Sequence, residues 1–174
     1  MLGRCWLLLG NIESDLGHMT ESLACYIRGV RVLQRVVETA PDDASVQGIL
    51  ADAYSAVGER VSVLGRSDEA EAYLLKSLAC ARSWNTHQAD PGFRAYLIAG
   101  ILAKLAAVHQ RANNWGRAYS YLEQAAEEVH RALQAAPSKA EYRERYGQVF
   151  TAWILTSARL GKHEAALDQA RRLE

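Results

Sequence analysis

A chain of 174 residues is long enough for one domain with a sizeable hydrophobic core. Its 20 basic and 20 acidic residues give a formal charge of zero, which argues against nucleic acid or an anionic membrane as the main partner, because both select basic surfaces. The composition is 49% hydrophobic and 23% charged, as in ordinary globular proteins, and no uninterrupted apolar run approaches the roughly 18 residues that a membrane-spanning helix needs.

The stretches between the three prolines predict helices throughout. Alanine, leucine, glutamate and arginine dominate them, and these are strong helix formers. No stretch alternates polar and apolar residues with the period of two that a strand requires. The expected fold class is therefore all-α, with helices in pairs. In chain order, we predict them near 1–16, 19–40, 43–64, 67–86, 91–111, 115–135, 139–160 and 163–174.

The first predicted helix begins MLGRCWLLLGNI, which also has the outline of a signal peptide: one basic residue and a short apolar run. However, residues 11–15 offer no small-residue cleavage site. Trp6 and Leu9 also have counterparts at a fixed spacing later in the chain. We therefore predict a structural helix and a cytoplasmic protein. The three cysteines, which are odd in number and lie in apolar helical patterns, are expected to be reduced thiols.

The ends of the first helix in each pair repeat every 48 residues. Glycine is preferred just after a helix because it adopts the left-handed conformation without penalty, and asparagine is the next best tolerated. The dipeptides that mark these ends are Leu16-Gly17, Leu64-Gly65, Ala112-Asn113 and Leu160-Gly161. A bulky apolar residue lies eleven positions before each glycine or asparagine: Trp6, Tyr54, Leu102 and Phe150. A small residue lies five positions after each: Ser22, Ala70, Ala118 and Ala166.

The starts of the later pairs share the same period. Asp42, Asp90 and Ser138 lie 48 residues apart and are good N-cap residues. Ser138 is followed by Glu141, which predicts a capping box. The sequence thus predicts one domain over 1–174, with repeats at about 1–41, 42–89, 90–137 and 138–174.

The pattern resembles the tetratricopeptide repeat (TPR) family, whose motif begins W-x2-L-G, as in Trp6, Leu9 and Gly10. The resemblance implies a right-handed α-α superhelix, a TPR-like solenoid of antiparallel helix pairs with about 3.5 repeats. The family period is 34 residues, so each unit here has about four extra helical turns. Long repeats of this kind are similar to arrays attached to some bacterial serine/threonine kinases. A related α-solenoid of the HEAT or armadillo type is the alternative. Both terminal units are shorter than the period, so we expect a fragment of a longer protein.

Motifs for catalysis, metals and cofactors are absent from the sequence. There is no H-E-x-x-H, no G-x-S-x-G and no phosphate-binding loop. No two histidines share a helix face, and His109 lies in the register of packing residues. We expect no catalytic residues, no metal, no cofactor and no enzymatic activity in this chain, although a parent protein could carry a kinase domain elsewhere.

The family resemblance implies a concave groove lined by the first helix of each pair. Carried over position by position, and with Tyr96 added from the extra turns, the partner-binding residues are Arg4, Asn11, Asp52, Ser55, Glu59, Tyr96, Gln110, Gln148 and Thr151. Members of the family that bind chaperone tails hold the tail's carboxylate with a lysine. Leu7 occupies that position here, so we do not expect this chain to bind chaperone tails. The implied function is a protein-protein interaction scaffold in signalling that binds a peptide, a helix or a neighbouring domain. The alternative is a homodimer formed through open terminal helix faces.

Overall fold

The structure, a computed structural model, describes residues 2–41, 43–83 and 90–171, and every regular element in these ranges is an α-helix. The predicted all-α class is confirmed, and each predicted helix is present within the described residues. The ends predicted at 84–86 and 172–174 lie outside them. The helices are α1 (Leu2–Asp15), α2 (Met19–Thr39), α3 (Ala44–Val63), α4 (Ser67–Ser83), α5 (Pro91–Arg111), α6 (Trp115–Ala135), α7 (Ala140–Arg159) and α8 (His163–Arg171).

The chain divides into two compact units, Met1–Gln88 and Ala89–Glu174, here called unit 1 and unit 2. In unit 1, α2 packs against α1 and α3, and α3 also packs against α4. In unit 2, α6 packs against α5 and α7, α7 packs against α8, and α5 also contacts α7. The assignment of residues 1–174 to a single domain stays a prediction.

Left-handed residues end the first helix of each pair, as the 48-residue spacing predicts. Gly17, Gly65 and Gly161 have φ angles of 80°, 78° and 71°, and Asn113 has a φ of 56°. At the end of α3, the Gly65 N–H donates to Ser62 O at 3.0 Å and the Arg66 N–H donates to Val61 O at 3.2 Å. These two bonds form a Schellman motif, which satisfies the last carbonyls of the helix. The chain can therefore reverse within three residues at each of these turns.

We expect Gly161→Ala to lower the free energy of unfolding by about 1–2 kcal/mol, since a side chain in the left-handed region brings Cβ close to the next carbonyl oxygen. Apart from Gly161 and its two chain neighbours, no atom lies within 4 Å of the position that this Cβ would take, so the loss reports backbone strain alone. Gly116, in α6, also has open space around it but lacks a positive φ. Gly116→Ala should therefore stabilise by about 0.4–1 kcal/mol. Urea denaturation of both variants checks the opposite signs, and a shared sign would contradict this account of the turns.

The N-caps follow the predicted spacing only in part. The cap of α3 is Asp43, whose carboxylate accepts from the Ser45 N–H at 2.9 Å and the Val46 N–H at 3.2 Å. The predicted cap, Asp42, lies outside the described residues. Asp90 caps α5 as predicted and accepts from the Gly92 N–H at 2.9 Å.

The predicted capping box at Ser138 is wrong. The N-cap of α7 is Lys139, which makes no side-chain capping bond. Its ammonium group instead donates to Asp90 Oδ2 at 3.2 Å and to the Tyr142 hydroxyl at 3.1 Å. The start of α7 is therefore fixed by contacts with the start of α5 and with its own first turn.

Small residues let the two helices of each pair in unit 1 approach closely. A Cβ on Gly58 of α3 would lie 2.8 Å from Leu74 Cγ, and one on Gly10 of α1 would lie 3.0 Å from the Tyr26 ring. Two buried serines hold these contacts in register. The Ser22 hydroxyl donates to Gly10 O and the Ser77 hydroxyl donates to Ala51 O, both at 2.7 Å. Each of these bonds gives a buried hydroxyl the partner that it needs.

Helix α5 is long and apolar. By length and composition it could cross a membrane, yet 56% of its most apolar window is buried inside the fold. Ten of its residues are buried, and it packs on α6 and α7. A single helix of this kind is weak evidence for membrane insertion, because the core helix of a globular protein has the same composition.

Candidate partner-binding clefts

A cleft in unit 1 brings three of the predicted partner-binding residues together. Its volume is about 280 Å³ and it is open to solvent. Arg4 and Asn11 reach it from α1, and Asp52 reaches it from α3. We call it the unit 1 cleft, and its lining residues are Arg4, Leu7, Leu8, Asn11, Tyr26, Ile49, Asp52, Ala53 and Ala56.

Helical periodicity places these side chains on two facing walls. Arg4, Leu8 and Asn11 are spaced by four and three residues, which puts them on one face of α1. Ala53 and Ala56 leave the α3 side of the cleft open because their side chains are short.

Tyr26 of α2 forms the floor of the unit 1 cleft and fixes the orientation of Asn11. Tyr26 is only 2% exposed, and its hydroxyl donates a hydrogen bond to Asn11 Oδ1. Gly10 leaves room for the ring. Since the amide oxygen of Asn11 is engaged with Tyr26, its NH₂ group is the part that can donate to a partner.

The chemistry of the unit 1 cleft combines opposite charges with apolar contacts. Arg4 and Asp52 are exposed on different helices, while Leu7, Ile49 and Ala56 are partly buried beside them. Such a surface can bind a short segment through its apolar side chains and orient it by charge.

The other predicted residues of unit 1 do not line this cleft. Ser55 is buried, with 5% of its surface exposed, and Glu59 is half-buried. Ser55 stands 48 residues after Leu7, which contacts the position of Gly29 on α2. This register faces the second helix of its own pair, which accounts for the burial of Ser55.

The four predicted residues of unit 2 lie on α5 and α7. The ring of Tyr96 stacks on that of Tyr142, with the centroids 5.0 Å apart. Gln110 Nε2 donates to Thr156 Oγ1 at 2.8 Å, so it bridges the two helices. Gln148 and Thr151 are exposed on α7.

Arg145, which the sequence analysis did not select, connects two of these residues. Its guanidinium group donates to the Tyr96 hydroxyl at 3.3 Å and lies 5.1 Å from the centre of that ring. It also donates to Gln148 Oε1 at 3.4 Å. The contacts are consistent with a hydrogen bond reinforced by a cation–π interaction.

A larger cleft in unit 2 was not predicted. It has a volume of about 770 Å³ and lies between α6, α7 and α8. Four aromatic side chains line it, with Tyr146 and Phe150 only 4.2 Å apart between ring centroids. Acidic residues and His130 lie around them, and the Lys162 ammonium sits 3.8 Å from the centre of the Tyr119 ring. We call it the unit 2 cleft. Its lining residues are Tyr119, Glu123, Ala126, Glu127, His130, Tyr146, Phe150, Trp153, Ala165 and Asp168.

Two residues that line the unit 2 cleft from α7 are also core residues, as the repeat register predicts, since Phe150 and Trp153 are only 4% and 7% exposed. Phe150 and Trp153 occupy the 48-residue register of Leu102 and Leu105, which are fully buried. The change from aliphatic to aromatic side chains at this register was the available sign of a different environment.

Several titratable groups in the described part of the chain have shifted pKa values. Burial raises the pKa of Cys80, which disfavours the nucleophilic thiolate. Burial also raises the pKa of Tyr54, whose hydroxyl accepts a hydrogen bond from Gln34 Nε2 at 2.8 Å. Hydrogen bonding by Lys139 lowers the pKa of Asp90. The described residues contain no group of three or more His, Cys, Asp or Glu side chains that could hold a metal ion.

Comparison with known proteins identifies the fold. No family model matches the sequence, and no curated protein matches it. The crystal structure of BtubC (BKLC) from P. vanneervenii is similar over 99% of this chain, with 17% identity and a TM-score of 0.70, and this chain spans 63% of its length.

Two further solved structures match less closely. One is a putative kinesin light chain from Podosopora anserina with nearly identical TPR-like repeats. It is 17% identical to this chain, with a TM-score of 0.48, and the match covers 98% of this chain and 92% of that one. The other is the first TPR of Spaghetti (RPAP3) bound to an HSP90 peptide. It is 17% identical to this chain, with a TM-score of 0.42, and the match covers 87% of this chain and 92% of that one. At these identities the comparison concerns the fold. The paired helices and the match to BtubC show that the chain has the fold of the TPR-like helical solenoids.

Proposed function

We propose that this chain is a non-catalytic interaction module that binds a peptide or helix of a partner protein in the unit 1 cleft. The observation that carries the proposal is the meeting of Arg4, Asn11 and Asp52 around one solvent-open cleft with apolar walls. Charged groups on facing helices can fix the direction of a bound segment, and the apolar wall can hold its side chains.

The size of the unit 1 cleft favours part of a peptide over a whole small molecule. Its volume of about 280 Å³ lies just below the range of roughly 300–1,000 Å³ that is usual for ligand pockets. We therefore expect it to take one or two anchoring side chains, with the rest of the segment lying along the exposed faces of α1 and α3.

The wider setting of the proposal rests on the sequence pattern. The 48-residue spacing resembles arrays attached to bacterial serine/threonine kinases. We therefore propose that the module belongs to a cytoplasmic bacterial signalling protein whose kinase domain lies outside this chain. Within the module, we assign binding to the predicted residues that line the unit 1 cleft.

A selection from a random 12-residue peptide library on the intact chain tests the proposal. Peptides that bind the unit 1 cleft should lose at least about tenfold in affinity, or 1.4 kcal/mol, for Asp52→Arg, because the change reverses the charge of one wall. Fluorescence anisotropy of the selected peptides measures this loss. Glu38→Arg is the matched control, since Glu38 is exposed on α2, outside the cleft.

Two results would contradict the proposal. One is a set of selected peptides that bind Asp52→Arg as tightly as the unchanged protein. The other is an equal loss of affinity for Glu38→Arg and Asp52→Arg, which would show a general response to net charge. Circular dichroism of both variants ensures that the comparison is between folded proteins.

A further inference from the structure

The internal repeat relates the α5–α7 face of unit 2 to the unit 1 cleft. Two periods of 48 residues separate α1 from α5 and α3 from α7. Three residues that line the unit 1 cleft therefore have counterparts in unit 2, which are Gly100 for Arg4, Arg145 for Ile49 and Gln148 for Asp52. The counterparts also lie together, because a Cβ on Gly100 would lie 3.7 Å from Arg145 Cζ and Arg145 donates to Gln148 Oε1.

The charges at this register differ between the two units. The unit 1 cleft combines the guanidinium group of Arg4 with the carboxylate of Asp52. In unit 2 the guanidinium group is on α7, as Arg145, and the neutral amide of Gln148 replaces the carboxylate. Helices α5 and α7 together contain six arginines or lysines and two glutamates, although the whole chain has a formal charge of zero. This face therefore favours an anionic partner.

The guanidinium group of Arg145 has only neutral hydrogen-bond acceptors among the described residues. Nη2 donates to the Tyr96 hydroxyl at 3.3 Å and Nη1 donates to Gln148 Oε1 at 3.4 Å. Both distances are longer than the roughly 2.7–2.9 Å of a hydrogen bond between a guanidinium group and a carboxylate. The Nε–H is buried and has no hydrogen-bond acceptor. The charge of Arg145 is therefore not balanced by an ion pair within the described part of the chain.

Two residues of α5 hold the guanidinium group in place. Gly100 has no side chain that would separate it from the helix. The ring of Tyr96 lies with its centre 5.1 Å from Arg145 Cζ, and this ring stacks on that of the buried Tyr142. An arginine held in this way loses less conformational freedom when a ligand binds. Arg145 and Tyr96 are half-buried, so a partner can reach them from the solvent side.

We propose that Tyr96, Gly100, Arg145 and Gln148 form a second binding site, the unit 2 carboxylate site, for an acidic side chain of a partner protein. The planar fork of a guanidinium group matches a carboxylate through two parallel hydrogen bonds. Such a pair replaces two long bonds to neutral acceptors and balances the charge of Arg145. Nucleic acid phosphates suit the same fork, but binding to them needs a more basic surface than a neutral chain provides. The site lies on α5 and α7, so it does not depend on the unit 1 cleft.

Binding of the peptide hexaglutamate to the intact chain tests the unit 2 carboxylate site. In an NMR titration of ¹⁵N-labelled protein, the Nε–H signal of Arg145, identified by its loss in Arg145→Lys, should shift as the peptide is added. Fluorescence anisotropy of labelled hexaglutamate measures the affinity. Arg145→Gln and Arg145→Lys should each weaken binding by at least about tenfold, because neither side chain offers the fork. Arg145→Lys keeps the charge and should fold, and circular dichroism checks both variants.

Arg143→Gln is the matched control for Arg145→Gln. It removes the same charge two residues away on α7, where Arg143 is exposed, and it should bind hexaglutamate nearly as tightly as the unchanged protein. Four results would each overturn the proposal: an unmoved Arg145 signal, an equal loss of affinity for Arg143→Gln, full affinity in Arg145→Lys, or equally tight binding of hexaglutamine. Tighter binding of a thymidine hexanucleotide than of hexaglutamate would also overturn it, in favour of a nucleic acid partner.

Discussion

Leu74→Ala should lower the free energy of unfolding of unit 1 by about 2–5 kcal/mol, the usual range for truncating a buried leucine. Leu74 of α4 is 0% exposed and packs against Gly58 of α3. Its truncation leaves a cavity where α3 and α4 pack closely together, so the lost contacts are not replaced by solvent. Urea denaturation followed by circular dichroism measures the loss.

The neighbouring residue provides the control. Leu75 has the same side chain on the same helix, but 43% of its surface is exposed. Leu75→Ala should change the free energy of unfolding by about 0.5 kcal/mol or less, as surface substitutions usually do. Equal losses for the two leucines would contradict the assignment of Leu74 to the contact between α3 and α4.

A double-mutant cycle between Leu74 and Gly58 tests the contact itself. Gly58→Ala alone should destabilise, because its Cβ would lie 2.8 Å from Leu74 Cγ and 3.2 Å from Ala70 O. In the Leu74→Ala background the first clash is removed, so the same substitution should cost less. A coupling of about 0.5–3 kcal/mol is typical of residues in contact. Additive effects would place the two residues apart.

The helix ends could be predicted from the sequence because they depend on single residues. A glycine or asparagine in the left-handed region stops a helix wherever it occurs, and the 48-residue spacing located four of them. The helix starts were harder to predict from the sequence. Asp43 takes the capping role in place of its neighbour Asp42, and Lys139 begins α7 through contacts with Asp90. A cap depends on local dihedral angles and on tertiary partners, which the residue type alone does not specify.

The unit 1 cleft was predictable in part for a similar reason. Arg4, Asn11 and Asp52 lie together because helical spacing determines which side chains share a face. Ser55 was assigned to the groove, yet its register faces the second helix of its pair and the residue is buried. Arg145 was missed because its role depends on its hydrogen bonds to Tyr96 of α5 and Gln148 of α7, which the residue type alone does not predict. The sequence pattern gives the face of a residue but not which neighbouring helix covers that face.

Tyr142→Ala should strongly destabilise unit 2, with a loss of about 3–5 kcal/mol in the free energy of unfolding, the range for truncating a buried aromatic side chain. Tyr142 is 0% exposed and forms a core cluster with Ala95 and Ala132. Because it carries the ring on which Tyr96 stacks, its loss should also disturb the contact between Tyr96 and Arg145.

Tyr142→Phe separates the ring from the hydroxyl. It keeps the stacking and the core volume, and removes only the acceptor for Lys139 Nζ. We expect a loss of about 1 kcal/mol or less, as for an ordinary hydrogen bond. Urea denaturation of both variants measures the difference. A loss for Tyr142→Phe as large as that for Tyr142→Ala would mean that the hydroxyl, and not the packed ring, holds the start of α7 against α5. The polar contacts among Asp90, Lys139 and Tyr142 would then be the principal support of the surface that carries Tyr96.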